Sequence, residues 1–341
     1  MPRSLEQRAA LAGAVLLLLA ATQAAFADPV GDFYSGKTMT LIVGSDPGGG
    51  YDAHARLVAR HLGRFIPGNP TILVQNMPGA GSVLMTNRIV NVAPKDGTVL
   101  GLVQRGILTS QLLEQPGLHY EVDKLNWIGS VTSETSVFIV NKDVPVSNLA
   151  DLRHTEILVG GTGATSDQEL TAKLLNTALG TKLKIISGYA GTNDVILAME
   201  RGELQGISLS WSNVKLKKLQ DKTKMLLQIG NAKEPDLPDV PLAYDSITDP
   251  ANRKVAEIFF GQLALARPIL SAPEFPPDRL AAVRKAFMEM VGDRQFRADA
   301  EKAKLEVRPA DYQAVNRFVA LTTSVTPEVK KRLFAVFGVK G

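Results

Sequence analysis

A short unit repeats along this chain and restricts its fold more than any other feature. It consists of an apolar run rich in β-branched residues, a glycine-rich loop, and then a stretch with helical periodicity. MTLIVG (39–44) reads as a buried strand, SDPGGG follows, and a helical pattern opens at Asp52, which is expected to cap it. In that pattern Ala55, Val58, Leu62 and Phe65 share one face, while Arg56, Arg60 and Arg64 line another. The unit returns as TILVQ (71–75), NMPGAGS (76–82) and a helix to about residue 92. It returns again as strand 157–159, the loop GGTGATS and a helix to about 179, and then as strand 184–186, loop 189–193 and a helix ending near Gly202. TVLGLV (98–103) adds a strand after the turn PKDG, and SVFIVN (136–141) adds one between the two groups.

Strands alternating with helices of this length build parallel sheet covered on both faces. The expected fold class is α/β, with two domains, each a mostly parallel sheet flanked by helices, and a cleft between them. After Pro250 the chain turns helical, with openings at PPDR, where Asp278 is expected to cap, and at DRQF, PADY and TPEV. These helices are expected to cover the first domain. The expected division is 1–27 as a signal peptide, 28–135 plus 255–341 as the first domain, and 136–254 as the second.

Arg3 and Arg8 flank the start of an apolar run from Ala9 to about Ala21, and Ala25-Phe26-Ala27 supplies an A-x-A pattern. Export with cleavage after Ala27 follows as an expectation. The sequence has no cysteine, which excludes disulfides, thiolate nucleophiles and zinc-thiolate sites. His54, His61, His119 and His154 show no metal-ligand spacing. The formal charge of +4 is dispersed, so no nucleic-acid partner is expected. GTGATS has Ser166 where a dinucleotide fingerprint needs glycine, no Walker A pattern occurs, and GISLS misses the nucleophile elbow at its last residue. No cofactor and no enzymatic chemistry are expected.

In open α/β sheets ligands bind beyond the carboxyl ends of the strands, where loops deliver helix N-termini whose free N–H groups favour anions. Gly48, Gly49 and Gly50, with Gly79 to Gly81, occupy such positions in one group. Residues 160–166 and 188–192 occupy them in the other. Two half-sites facing each other across a cleft are expected to take a small carboxylate.

The segments GGGYDAHARLVARHL, VQNMPGAGS, VAPKDGTVLG, GGTGATSDQEL and YAGTNDVILAMERGELQG, in this order, resemble the extracytoplasmic solute receptors of the tripartite tricarboxylate transporter family, also called Bug proteins. The resemblance implies a periplasmic type II binding protein, a Venus flytrap that closes on a carboxylate. Carried over residue by residue, the first-domain contacts are Gly48, Gly49, Gly50, Tyr51 and Asp52, then Pro78, Gly79, Ala80 and Gly81. Across the cleft they are Thr162, Gly163, Ala164, Thr165 and Ser166, then Tyr189, Gly191, Asn193 and Asp194. Two departures stand out. Glu169 occupies a position where the family often has histidine, and Arg105 follows the third strand, either to pair a second ligand carboxylate or to sit at the surface. Trp211 is read either as lining the cleft or as core. Valine at Gly79 or Gly163 is expected to abolish binding in a folded protein. The partners implied are membrane permease subunits, with a monomeric receptor; a sensor docking on a membrane kinase and an exported enzyme are the alternatives.

Overall fold

The computed structural model describes residues 28–163, 166–230 and 232–338. The proposed signal peptide and its cleavage site lie outside these residues. No helix among the described residues is long and apolar enough to cross a membrane.

The first domain opens with α1 (Pro29–Tyr34), β1 (Thr38–Val43), α2 (Gly50–Leu62), β2 (Thr71–Asn76), α3 (Val83–Asn91), β3 (Val99–Leu102), α4 (Ile107–Ser110) and β4 (Asn126–Ser130). The chain then builds a second sheet from β5 (Ser136–Asn141), α5 (Leu149–His154), β6 (Ile157–Gly160), α6 (Asp167–Leu179), β7 (Leu183–Ile186), α7 (Thr192–Glu200), β8 (Gly206–Ser210), α8 (Trp211–Leu216) and β9 (Thr223–Ile229). It ends with α9 (Pro250–Gly261), β10 (Pro268–Ser271), α10 (Pro277–Gly292), α11 (Arg294–Lys302), β11 (Ala310–Asp311), α12 (Tyr312–Thr323) and α13 (Pro327–Phe337).

Both sheets are mixed, where mostly parallel sheets were expected. The first has the order β11-β4-β10-β3-β1-β2 and the second β7-β6-β8-β5-β9. The strand–loop–helix repeats do pair in parallel, β1 with β2 and β3, and β6 with β7 and β8. The exceptions include the strands that bring the chain into and out of the second sheet: β5 runs antiparallel to β8 and β9, and β10 antiparallel to β3 and β4. An apolar run records burial on both faces and says nothing of direction.

Alternation along the central strands feeds two cores per sheet. Met39, Leu41 and Val43 of β1 pack with Leu57, Val58 and Leu62 of α2 and with Val283 and Phe287 of α10, while Ile42 faces Met85 and Ile89 of α3 and Val315 of α12. Phe138 and Val140 of β5 meet Leu174 of α6, and Val137 and Ile139 meet Val195 of α7. The carboxy-terminal helices divide between the domains, correcting the expectation that they cover the first alone. α10, α11 and α12 lie on the first sheet, but Val255 and Phe259 of α9 and Leu333, Val336 and Phe337 of α13 belong to the second sheet's core. An amphipathic helix advertises an apolar face without naming the sheet that covers it. Asp278 is also corrected: the cap position of α10 is Pro276, and its side chain supplies no capping hydrogen bond.

The segments joining the domains, 131–135 and 262–267, run side by side. Val131 N–H donates to Arg267 O at 3.1 Å, Ala266 N–H to Thr132 O at 2.9 Å and Glu134 N–H to Leu263 O at 2.9 Å. This ribbon places one charged residue of each segment, Glu134 and Arg267, at the floor of the space between the sheets.

Candidate binding cleft

The cleft between the domains encloses about 430 Å³ and receives residues from both sheets. Two helices point their N-termini toward it, and both begin on glycine. Gly49 caps α2 and Gly191 caps α7, neither with a side-chain hydrogen bond. By contrast α6, α9, α11, α12 and α13 carry Ser, Asp or Thr caps whose oxygens accept from the first turn. No capping side chain satisfies the first N–H groups of α2 and α7, whereas α6, whose Asp167 and Gln168 also line the cleft, is capped by Ser166.

Between them lies a buried charge cluster. Arg267, 1% exposed, donates to both carboxylate oxygens of Glu134, at 2.7 and 3.1 Å. Arg105, 6% exposed, reaches Glu134 Oε2 at 3.3 Å, Ser136 Oγ at 3.3 Å and, across the cleft, Asp167 Oδ2 at 3.0 Å. Ser212 donates to Glu134 Oε1 at 2.6 Å. Burial alone would raise the Glu134 carboxyl, but Arg267, Arg105 and the Ser212 hydroxyl together hold it below its ordinary value. The Arg267 guanidinium lies 4.1 Å from the Tyr51 ring centroid, and the Tyr51 hydroxyl accepts from Arg105 N–H at 3.1 Å. Burial in this stack pushes the Tyr51 hydroxyl up despite the two arginines. The Nε atoms of Arg105 and Arg267 and the Oγ of Ser45, all in residues lining the cleft, are buried without a protein partner.

Of the residues expected at the site, Gly49, Gly50, Tyr51, Arg105, Thr162, Gly191, Asn193 and Asp194 line this cleft. Ala164 and Thr165 lie outside the described residues. Gly48, Asp52, Pro78, Gly79, Ala80, Gly81, Gly163, Ser166 and Tyr189 are not part of the lining. Asp52 is not the helix cap. It sits in the first turn of α2 and reaches back to accept from Gly48 N–H at 2.9 Å, while also accepting from Arg56 and Asn76. Burial opposes its charge, yet these hydrogen bonds outweigh that and lower its pKa. Ser166 caps α6, Tyr189 packs against the core under α7, and Trp211 is a core residue, 5% exposed, donating to Asp236 Oδ2. Arg105 is neither at the surface nor free, being neutralised by carboxylates of the protein. Glu169 is buried and accepts from Gly163 N–H at 2.9 Å and Ser187 Oγ at 2.6 Å, which pins the Gly-Thr loop to the end of β7.

The Pro78 to Gly81 loop serves the fold. Gly79, Ala80, Gly81 and Ser82 all take positive φ, and a side chain on Gly79 (φ 138°) would meet Leu84 at 2.4 Å. The Gly79 substitution would therefore disturb folding as well as binding, contrary to expectation. What this loop delivers is Ser82, fully buried, whose hydroxyl donates to Gly44 O and accepts from Gln104 N–H, each at 2.9 Å. It ties together the loops leaving β1 and β3. Ser82→Ala is expected to cost about 1–3 kcal/mol by stranding a buried backbone donor, read as a lower urea midpoint at unchanged slope. An unchanged midpoint would remove Ser82 from this role.

Sequence reasoning missed Ser45, Glu134, Asp167 and Arg267. A signal existed for one of them: Arg267 interrupts the apolar run LALARPIL (263–270). A charge in a buried segment asks for a buried partner.

Comparison with known proteins agrees with the fold. The family model described as "Tripartite tricarboxylate transporter family receptor" matches residues 55–332. A UPF0065 protein encoded in the TAR-I ttuE-ttuC' intergenic region of Agrobacterium vitis is 29% identical over 236 residues, covering 67% of this chain and 66% of that protein. The structure of the periplasmic binding protein BugD superposes with a TM-score of 0.72 at 21% identity, covering 90% of this chain and 99% of that one. MatC from Rhodopseudomonas palustris, with bound malate, gives 0.68 at 19% identity, covering 88% and 99%.

Proposed function

Starting from the fact that the chain belongs to the tripartite tricarboxylate transporter receptor family, we propose that it captures a small carboxylate between its two domains and delivers it to membrane permease subunits. The observation that carries this reading is the convergence of unsatisfied donors on one cleft. Two glycine-capped helix N-termini border this space, and Arg105, Arg267 and Ser45, each with a buried polar atom that has no protein partner, line it. A carboxylate placed there supplies the missing acceptors, and closing the domains withdraws it from water. The malate in MatC supports the same solute class. In this reading residues 1–27 are removed on export to the periplasm, the mature monomer binds without turnover, and the moving halves divide near 135/136 and, because α9 packs in the second sheet's core, within 262–267 in place of the expected 254/255.

Thermal unfolding of protein stripped of bound solute tests the reading, using carboxylates and their matched amides. A true solute at 100 times its dissociation constant adds about 2.7 kcal/mol of stability. Acids should raise the melting temperature while their amides do not. Equal shifts from the amides would overturn recognition of the carboxylate.

A further inference from the structure

Resting on the receptor reading above, we propose that two ion pairs of the protein's own, Arg105 with Asp167 and Lys215 with Glu306, latch the domains together, so that the receptor rests closed without a solute and must open before it captures one. Each pair joins a residue of the first domain to one of the second. Arg105 stands in the loop between β3 and α4 and Asp167 in the first turn of α6, with Nη2 and Oδ2 3.0 Å apart. Lys215 belongs to α8 and Glu306 to the segment ahead of β11, with Nζ and Oε1 2.6 Å apart.

The pairs fasten the halves at different places. The first crosses the cleft, whose lining contains both of its residues. The second lies outside the lining, where Glu306 is also tied to the start of α2 through its carbonyl oxygen, 3.2 Å from His54 Nε2. A further cross-domain contact, from Arg308 to both oxygens of Glu234, stands beside the hinge ribbon, since Ala310 pairs with Ser130 at the ribbon's start. A swing displaces that contact least, so it is not counted in the latch. Elsewhere the opposing walls approach closely. A Cβ on Gly50 of α2 would stand 3.1 Å from Asn213 Oδ1 of α8, and one on Gly191 of α7 would stand 3.5 Å from Asp46 Oδ2 of the first domain. The arrangement is a closed one.

Charge balance explains why closure is favoured by the protein itself. The floor of the cleft holds two buried guanidiniums and one carboxylate, Glu134, to which Arg267 already donates with two nitrogens. With the domains apart, Arg105 has only a share of Glu134 at 3.3 Å. Closing brings Asp167 to it as a second counter-ion, and because the Arg105 side chain is 7% exposed the pair is poorly screened by water. These contacts involve protein atoms alone, so they bias the equilibrium toward closure whether or not the cleft is filled. Opening then becomes a step that precedes capture and release alike.

Small-angle X-ray scattering of the purified protein, unfolded and refolded to remove bound solute, tests this with no solute present. The parent should scatter as the closed structure. The double variant Asp167→Asn, Lys215→Gln should be larger by about 1 Å in radius of gyration, against roughly 20 Å for a compact chain of this length. Circular dichroism should be unchanged, because Ser166 still caps α6 and Lys215 is partly exposed. Asp167→Glu keeps the charge and should stay at the parent's size. Lys215→Gln alone, with a smaller expansion, keeps the test decisive if Asp167→Asn fails to fold. A double variant no larger than the parent, or a parent already as large as the double variant, overturns the latch and leaves the carboxylate receptor standing. The thermal test above judges the receptor reading by itself.

Discussion

Glu134→Gln is expected to lower the stability of this protein by about 3–5 kcal/mol, the usual consequence of removing one member of a buried ion pair and stranding the other. The side chain is 6% exposed and receives both nitrogens of Arg267, one of Arg105 and the Ser212 hydroxyl. Glutamine keeps the shape but offers one acceptor oxygen and no charge, so two arginines lose their shared counter-ion. Urea unfolding at neutral pH measures the loss, and a variant within 1 kcal/mol of the parent would refute the role of the pair. Acid gives an independent reading. Because the Glu134 carboxyl is held below its ordinary value in the folded protein, the unfolded chain takes up the proton first. Its contribution is complete above the ordinary glutamate value of about 4.3 and declines as the pH falls further. The gap between parent and variant should therefore narrow from pH 5 toward pH 3.

Gly49→Val is expected to reduce solute affinity about 100-fold, near 2.7 kcal/mol, while leaving the fold largely intact. Gly49 has extended backbone (φ −86°, ψ 175°), which valine adopts readily, and the nearest atom to a Cβ there is Asp46 O at 3.9 Å. The side chain would occupy the cleft at the entrance to the unsatisfied N–H groups of α2. Replacing a glycine cap by valine costs about 1 kcal/mol at most, so the urea midpoint should move little. Unchanged affinity would show that the solute does not approach the N-terminus of α2.

The repeating strand, loop and helix were legible in the sequence because each carries its own period and punctuation, and β1, β2, β6 and β7 lie within a residue or two of their expected bounds. The glycine loops were visible too, but they are not equivalent. Glycine reports a need for unusual backbone or bare space and not the reason for it. GGG and Gly191 start the helices at the cleft, whereas the Pro78 to Gly81 loop spends its positive φ angles on presenting Ser82 to Gly44 and Gln104. The charge cluster was illegible for a topological reason. Glu134 and Arg267 are 133 residues apart and meet only because the two connecting segments run side by side. Arg105 was visible, but its neutralisation by Asp167 depends on the second domain standing opposite the first.

The placement of α13 has a mechanical consequence. The described chain passes between the domains through 131–135 and 262–267, and once more through the short link 324–326, since α12 lies on the first sheet and α13 on the second. The first two passages form one hydrogen-bonded ribbon, which can flex and twist like a strap. The third anchors the halves at a separate point, so pulling them apart stretches a link of a few residues, whereas swinging them about the line joining the anchors does not. A hinge pinned at two places has one easy rotation. Under the proposed function a solute would enter and leave along the arc of that swing, and the permease would have to meet the mouth of the cleft from the side on which the swing opens.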